Sequence, residues 1–126
     1  KYAISISKAT IKFMRTRGVD AHRIVRHTNA YTVDTLFIDQ NLEDALKREL
    51  MTLKVSNYIE TCSDIRFPRL SEMRVFGKVY AEGDVYIKVR IELVDTLSSG
   101  GGSKILIMSF HFSERPFRNH TFPYRD

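Results

Sequence analysis

Cysteine is almost absent from this chain. A single residue, Cys62, occurs in 126. It can close no disulfide within the chain and by itself offers no thiolate cluster for a metal, so nothing calls for an oxidising compartment. A lone cysteine of this kind reads first as a small buried hydrophobe. Long apolar runs are also missing: no segment approaches the roughly 20 residues that a membrane-crossing helix needs. The N-terminal stretch lacks the pattern of a secretory signal. The sequence therefore predicts a soluble chain with no membrane partner.

Other absences narrow the chemistry. There is no G-x-S-x-G, which argues against a Ser-His-Asp hydrolase built on a nucleophile elbow. The glycines of "SSGGGS" are not followed by the Lys-Ser and helix of a phosphate-binding loop. His22 and His27 are five apart, His120 lies near the end, and no acidic cluster completes a ligand set. No metal and no cofactor is expected.

What is present suits one domain over 1–126. Hydrophobic residues make up 43% of the chain, enough for a core at this length. Twenty Lys and Arg against fifteen Asp and Glu give a net charge of +5, a mild lean towards an anionic partner such as nucleic acid or an acidic protein. The chain starts at Lys1 without methionine, which suggests a trimmed terminus or a module cut from a longer protein. Ser98 to Ser103 is flexible in composition and resembles an engineered linker replacing a natural loop.

Helices are expected first, over about 5–53, and a sheet afterwards, over about 58–113. From Ser5 to Arg17, Ile6, Ala9, Phe13 and Met14 recur at helical spacing, with Gly18 as a stop. Asp20 can cap a short second helix with Ala21, Ile24 and Val25 inward and His22, Arg23, Arg26 and His27 wet. Asn41 opens a third, with Glu43 and Asp44 in its first turn and Leu42, Ala45, Leu46, Leu50 and Leu53 as its apolar stripe.

After Tyr58 the period becomes two. Met73, Val75 and Val79 alternate with Arg74, Phe76, Lys78 and Tyr80, and "AEGD" supplies a turn. Val85, Ile87, Val89, Ile91 and Leu93 then alternate with Tyr86, Lys88, Arg90 and Glu92, the pattern of a half-buried antiparallel strand. In the third run Leu106, Met108, Phe110 and Phe112 share one face and Ile105, Ile107, Ser109 and His111 the other; being apolar on both faces at its start, it reads as a central strand. The fold class predicted is α+β, N-terminal helices packed on a twisted antiparallel sheet of about four strands.

Parity makes this a functional expectation. Burying the odd residues of the second run places Tyr86, Lys88 and Arg90 on the opposite face, and burying Leu106, Met108, Phe110 and Phe112 in the same layer brings Ser109 and His111 there too. A hairpin across the glycine bridge sets His111 beside Tyr86 or Lys88, the choice depending on an unlocated bulge. Arg74, Lys78 and Tyr80 would extend the group from the neighbouring strand. Such a face suits metal-free cleavage of RNA, where a ribose 2′-hydroxyl loses a proton, the phosphorane's charge is stabilised and the departing 5′-oxygen gains a proton. His111 would transfer protons with Tyr86 as partner, and Lys88 and Arg90 would clamp phosphate. In the tail, Arg115, Arg118 and His120 either add phosphate contacts or form a solvated terminus.

The segments "FPRL" (Phe67 to Leu70), "GKVY" (Gly77 to Tyr80), "DVYIKVRI" (Asp84 to Ile91) and "KILIMSFH" (Lys104 to His111) resemble the carboxy-terminal half of MqsR-type toxins. These are RNA-cleaving toxins related to RelE, within the barnase, EndoU, colicin and RelE fold group. The resemblance implies helices on a twisted antiparallel sheet and a ribonuclease acting in the cytoplasm on mRNA or tRNA. It places the family's catalytic tyrosine on Tyr86 and its terminal-strand lysine on His111, a change of residue type that retains acid and base capacity. A further family lysine falls nearest Lys54, and the family's glutamine near Ser63 has no counterpart. A basic module ending in its catalytic strand also resembles the toxin domains of contact-dependent and other polymorphic systems, delivered from another cell as part of a larger secreted protein. Either resemblance implies a cognate antitoxin or immunity protein, acidic where it covers the basic face.

The competing expectation is a noncatalytic antitoxin, immunity or RNA-binding module using the same basic sheet, with Phe76, Tyr80 and Tyr86 as stacking surfaces. It lacks the RNP-type aromatic motif, and nuclease inhibitors tend to be acidic where this chain is basic.

Overall fold

The computed structural model describes residues 10–15, 24–63, 72–93 and 103–125. Five strands form one sheet: β1 (Thr10–Phe13), β2 (Tyr58–Cys62), β3 (Met73–Tyr80), β4 (Gly83–Leu93) and β5 (Ser103–Phe112), in the spatial order β1-β5-β4-β3-β2. Strands β2 to β5 pair antiparallel, and β1 pairs parallel with β5. Helices α1 (Asn29–Leu36) and α2 (Leu42–Met51) cover one face. The class is α+β as expected, with five strands in a mixed sheet rather than four in an antiparallel one. No described helix is long and apolar enough to cross a membrane.

The core lies between the helices and that face. Val33, Ala45, Leu46 and Leu50 meet Phe76, Val85, Ile87, Val89, Ile105, Ile107, Phe110 and Phe112. Each of these side chains except Ala45 contributes about 1.5–3 kcal/mol through removal from water. Helix α2 forms as its sequence predicts: Asn41 Oδ1 accepts from Asp44 N at 3.0 Å, and Glu43 and Asp44 occupy the first turn, where the helix dipole favours them.

The first helix expected from Ser5 to Arg17 is corrected. Thr10–Phe13 is a strand, with Ile11 and Phe13 against the core and Thr10 and Lys12 exposed. The helical spacing of Phe13 and Met14 yields to pairing with β5, which satisfies the backbone and suits β-branched Thr10 and Ile11. Residues 5–9, 16–23 and 98–102 lie outside those described, and with them the start of that helix, the Asp20 cap and most of the glycine bridge. Of the second expected helix the described residues hold a 3-10 turn at Val25–His27, and Ile24 and Val25, expected inward, are each 68% exposed. Arg26 stays exposed as expected and lies over the Phe112 ring, 4.3 Å from its centroid.

Helix α1 was not expected. Its sequence, NAYTVDTL, is rich in weak helix formers, and its buried residues are Asn29, Thr32 and Val33, so no apolar stripe announces it. Thr28 starts it, its hydroxyl accepting from Tyr31 N at 3.3 Å. The buried polar residues satisfy β5, which continues beyond the end of β1. Among the described residues of this segment, Met14 N makes the last backbone bond to β5, at Ile107 O. Past it, Asn29 Nδ2 donates to Met108 O at 3.1 Å, Phe110 N donates to Asn29 Oδ1 at 3.0 Å, and Phe112 N donates to Thr32 Oγ1 at 2.9 Å. Two side chains of a helix thus pair three β5 backbone groups that lie past the end of β1.

Candidate active site

Opposite residues of paired strands share a face, so the register fixes which side chains meet. Val85, Ile87 and Val89 of β4 face the helices, and Tyr86, Lys88 and Arg90 project from the other side. In β5 the pairing runs Tyr86 to His111, Lys88 to Ser109, then Val89 to Ile107 and Arg90 to Leu106. Met108 is skipped, and this is the bulge. Because of it Ile105 and Ile107 join Phe110 and Phe112 in the core, while Leu106, Ser109 and His111 lie on the far face. The expectation that Leu106 and Met108 share the core face with Phe110 is corrected, and so is that of Ile105 and Ile107 on the outer face. Ser109 and His111 stand where they were expected.

His111 stacks on Tyr86, ring centroids 5.3 Å apart and planes 20° from parallel. Lys88 Nζ lies 5.8 Å from the Tyr86 centroid. Tyr86, Lys88, Ser109 and His111 form the floor of a cleft of about 460 Å³ whose rim is Ser113, Glu114 and Arg115. His111 is buried to 7% exposure yet borders this cleft, so its ring is held without being sealed in the apolar layer. Its Nδ1 is 3.0 Å from Phe112 O. A carbonyl oxygen only accepts, so Nδ1 carries the hydrogen and Nε2 is the nitrogen able to take a proton.

The rim is fixed by the chain just after β5. Ser113 N donates to Asp84 O at 2.8 Å, and Ser113 Oγ donates to Arg115 O at 2.6 Å. Phe117 N donates to Asp84 Oδ2 at 2.8 Å. The tail then crosses β3 at Gly77, the partner of Tyr86, where a Cβ would stand 2.8 Å from Phe117 and 2.9 Å from Phe122. Only a residue without a side chain lets those rings lie so close to the sheet.

The other nominated cations separate. Arg115 borders the cleft; Arg118 does not, and its N–H caps a 3-10 turn at Thr121. Arg90 lies on the cleft's face two residues beyond Lys88, opposite Leu106, and is buried. Lys54 is exposed at the start of the turn before β2. The expected grouping of Arg74, Lys78 and Tyr80 with Tyr86 is corrected, because β3 turns its even residues to the helices. Lys78 Nζ and Tyr80 Oη donate to Glu49 Oε1 of α2 at 2.9 and 2.6 Å, and Arg74 pairs with Val89, a core residue. Of the odd residues expected in the core, Met73 and Val75 are buried on the cleft side and Val79 is 68% exposed.

Around Glu49 the electrostatics are strong. Burial alone would raise its carboxyl, but hydrogen bonds from Tyr80, Lys78 and Arg48 outweigh it and hold the group below the usual carboxylate range. Burial and the bond to Glu49 push the Tyr80 phenol well above its ordinary value.

The structure adds residues to the cleft that sequence did not single out. Glu114 and Ser113 follow β5, where strand parity no longer predicts direction, and the only signal was nearness to His111. Among the described residues no three His, Cys, Asp or Glu gather into a metal-binding group. Compared with known protein families, with curated proteins and with solved structures, the chain matches none of them.

Proposed function

We propose that this chain is a metal-independent RNA endonuclease of the toxin type. The observation that carries the reading is the stacked Tyr86–His111 pair beside Lys88, in a cleft rimmed by Arg115. Histidine titrates near neutrality, the phenol is a donor, and two cations complement a phosphodiester.

In the proposed reaction Nε2 of His111 takes the proton of a ribose 2′-hydroxyl as that oxygen attacks phosphorus. The bond from phosphorus to the 5′-oxygen breaks, and the Tyr86 hydroxyl donates the proton that the departing oxygen needs. Lys88 and Arg115, with Arg90 behind them, neutralise the charge of the phosphorane. The products are a 2′,3′-cyclic phosphate and a 5′-hydroxyl. The substrate is cytoplasmic mRNA or tRNA, and the cell making the protein is protected by an antitoxin or immunity protein with acidic side chains over the cleft.

Purified protein and its His111→Ala variant, incubated with a mixed-sequence single-stranded RNA, test this. Wild type should cleave, and the variant should cleave at least about 100-fold more slowly while binding the RNA comparably. Binding without cleavage by wild type would favour a noncatalytic RNA-binding module. Equal cleavage by both proteins would remove His111 from the chemistry.

A further inference from the structure

We infer that Asn29 is a positioning residue for His111: by pinning the bulge at Met108 it decides which side chains of β5 enter the cleft. The inference rests on the proposed reading for its catalytic consequence and on geometry alone for its structural one.

The Asn29 side chain is fully buried, and each of its polar atoms is committed to backbone. Nδ2 donates to Met14 O at 2.8 Å and to Met108 O at 3.1 Å, while Oδ1 accepts from Phe110 N at 3.0 Å. Those partners are Met14, which directly follows β1 and still bonds to β5 through its N–H, the bulged residue, and the residue two beyond it. The amide therefore spans the place where β5 leaves its strand neighbour and changes parity. A one-residue slip exchanges the two faces of a strand. Without the bulge, Phe110 and Phe112 could stay inward only if Ile105 and Ile107 turned out, and keeping Ile105 and Ile107 inward would send His111 into the core. The bulge reconciles both, and Asn29 satisfies backbone groups at the bulge and just past it that have no β1 partner, because the β1 pairing ends at Ile107. An apolar residue at 29 would strand those groups in the interior, where an unmade hydrogen bond is costly. No other side chain type of that length both donates twice and accepts while neutral.

The link to function is short. The residues on either side of His111 in β5, Phe110 and Phe112, both donate backbone N–H groups to α1, through Asn29 and Thr32. The imidazole thus sits between two anchored neighbours and is stacked on Tyr86. A shift of about 1 Å at a reacting group is enough to cost on the order of 100-fold in rate.

Asn29→Ala and Asn29→Asp test the inference, the second retaining the acceptor and losing the donors. In the folded variants the nuclear Overhauser contact between the His111 and Tyr86 rings should vanish or weaken strongly. Turnover on a mixed-sequence single-stranded RNA should fall by about 100-fold with little change in KM, and in the His111→Ala background neither substitution should lower it further. Retention of both the ring contact and turnover would overturn the inference. Should both variants fail to fold, amide exchange in wild type decides. The Phe110 N–H and the Asn29 side-chain protons should exchange as slowly as the Ile107 N–H, and exchange at the rate of exposed amides would overturn it. The ring contact and the exchange need no substrate. A protein that cleaves no RNA yet loses the contact in Asn29→Ala would therefore refute the nuclease and leave the positioning role standing.

Discussion

At the residue scale the cleft holds one group at odds with phosphate binding. Lys88 and Arg115 attract a phosphodiester, and Glu114 on the same rim repels it. Replacing Glu114 with Gln removes that repulsion at nearly constant shape. RNA binding by Glu114→Gln should tighten by about 2- to 5-fold at low salt, and the gain should fade as salt screens the charges. Titration of a fluorescent RNA at two ionic strengths reads this; unchanged or weaker binding would mean that the carboxylate supports the site. His111 itself was legible because the alternation in β4 and the Phe110, Phe112 pair at the end of β5 set the parity on either side of it. The earlier half of β5 was not legible, since Ile105, Leu106, Ile107 and Met108 are apolar on both faces and conceal where the bulge falls.

Between elements, the junction of α2 with β3 is ionic. Glu49 gathers Lys78, Tyr80 and Arg48, with Oε1 2.6 Å from the Tyr80 hydroxyl. Because these bonds hold its folded-state carboxyl below the usual range, the unfolded chain takes up the proton first as pH falls. The stabilisation is therefore complete above about pH 4.3, the ordinary glutamate value, and is lost as acid titrates the folded group. Tyr80 has the opposite sign: its phenol is raised, so its contribution is present below about pH 10 and lost on the alkaline side. Urea unfolding should find Glu49→Gln less stable than wild type by about 1–3 kcal/mol at pH 7, with the gap closing towards pH 3. A gap independent of pH would assign the loss to packing. Sequence hid this junction because β3 reads equally well with either face inward: Met73 and Val75 favour one and Phe76 and Tyr80 the other. Helix α2, by contrast, was fully legible from its cap and stripe. Helix α1 was illegible for a physical reason, since its buried face is polar and serves hydrogen bonding to β5.

Across the whole molecule the two faces of the sheet divide the work. One face is covered by α1 and α2 and supplies the core. The other carries the cleft, with the tail folded against Gly77. The basic balance of the chain, +5, favours an anionic ligand without identifying it. The product ends discriminate most sharply between chemical cleavage and binding. The protein should be incubated, with chelator present, with a short single-stranded RNA and with the same strand carrying a 2′-deoxy sugar at the cleaved position. The account predicts fragments ending in 2′,3′-cyclic phosphate and 5′-hydroxyl from the first, and none from the second. Intact RNA, or scission of the deoxy strand at that position, would contradict it.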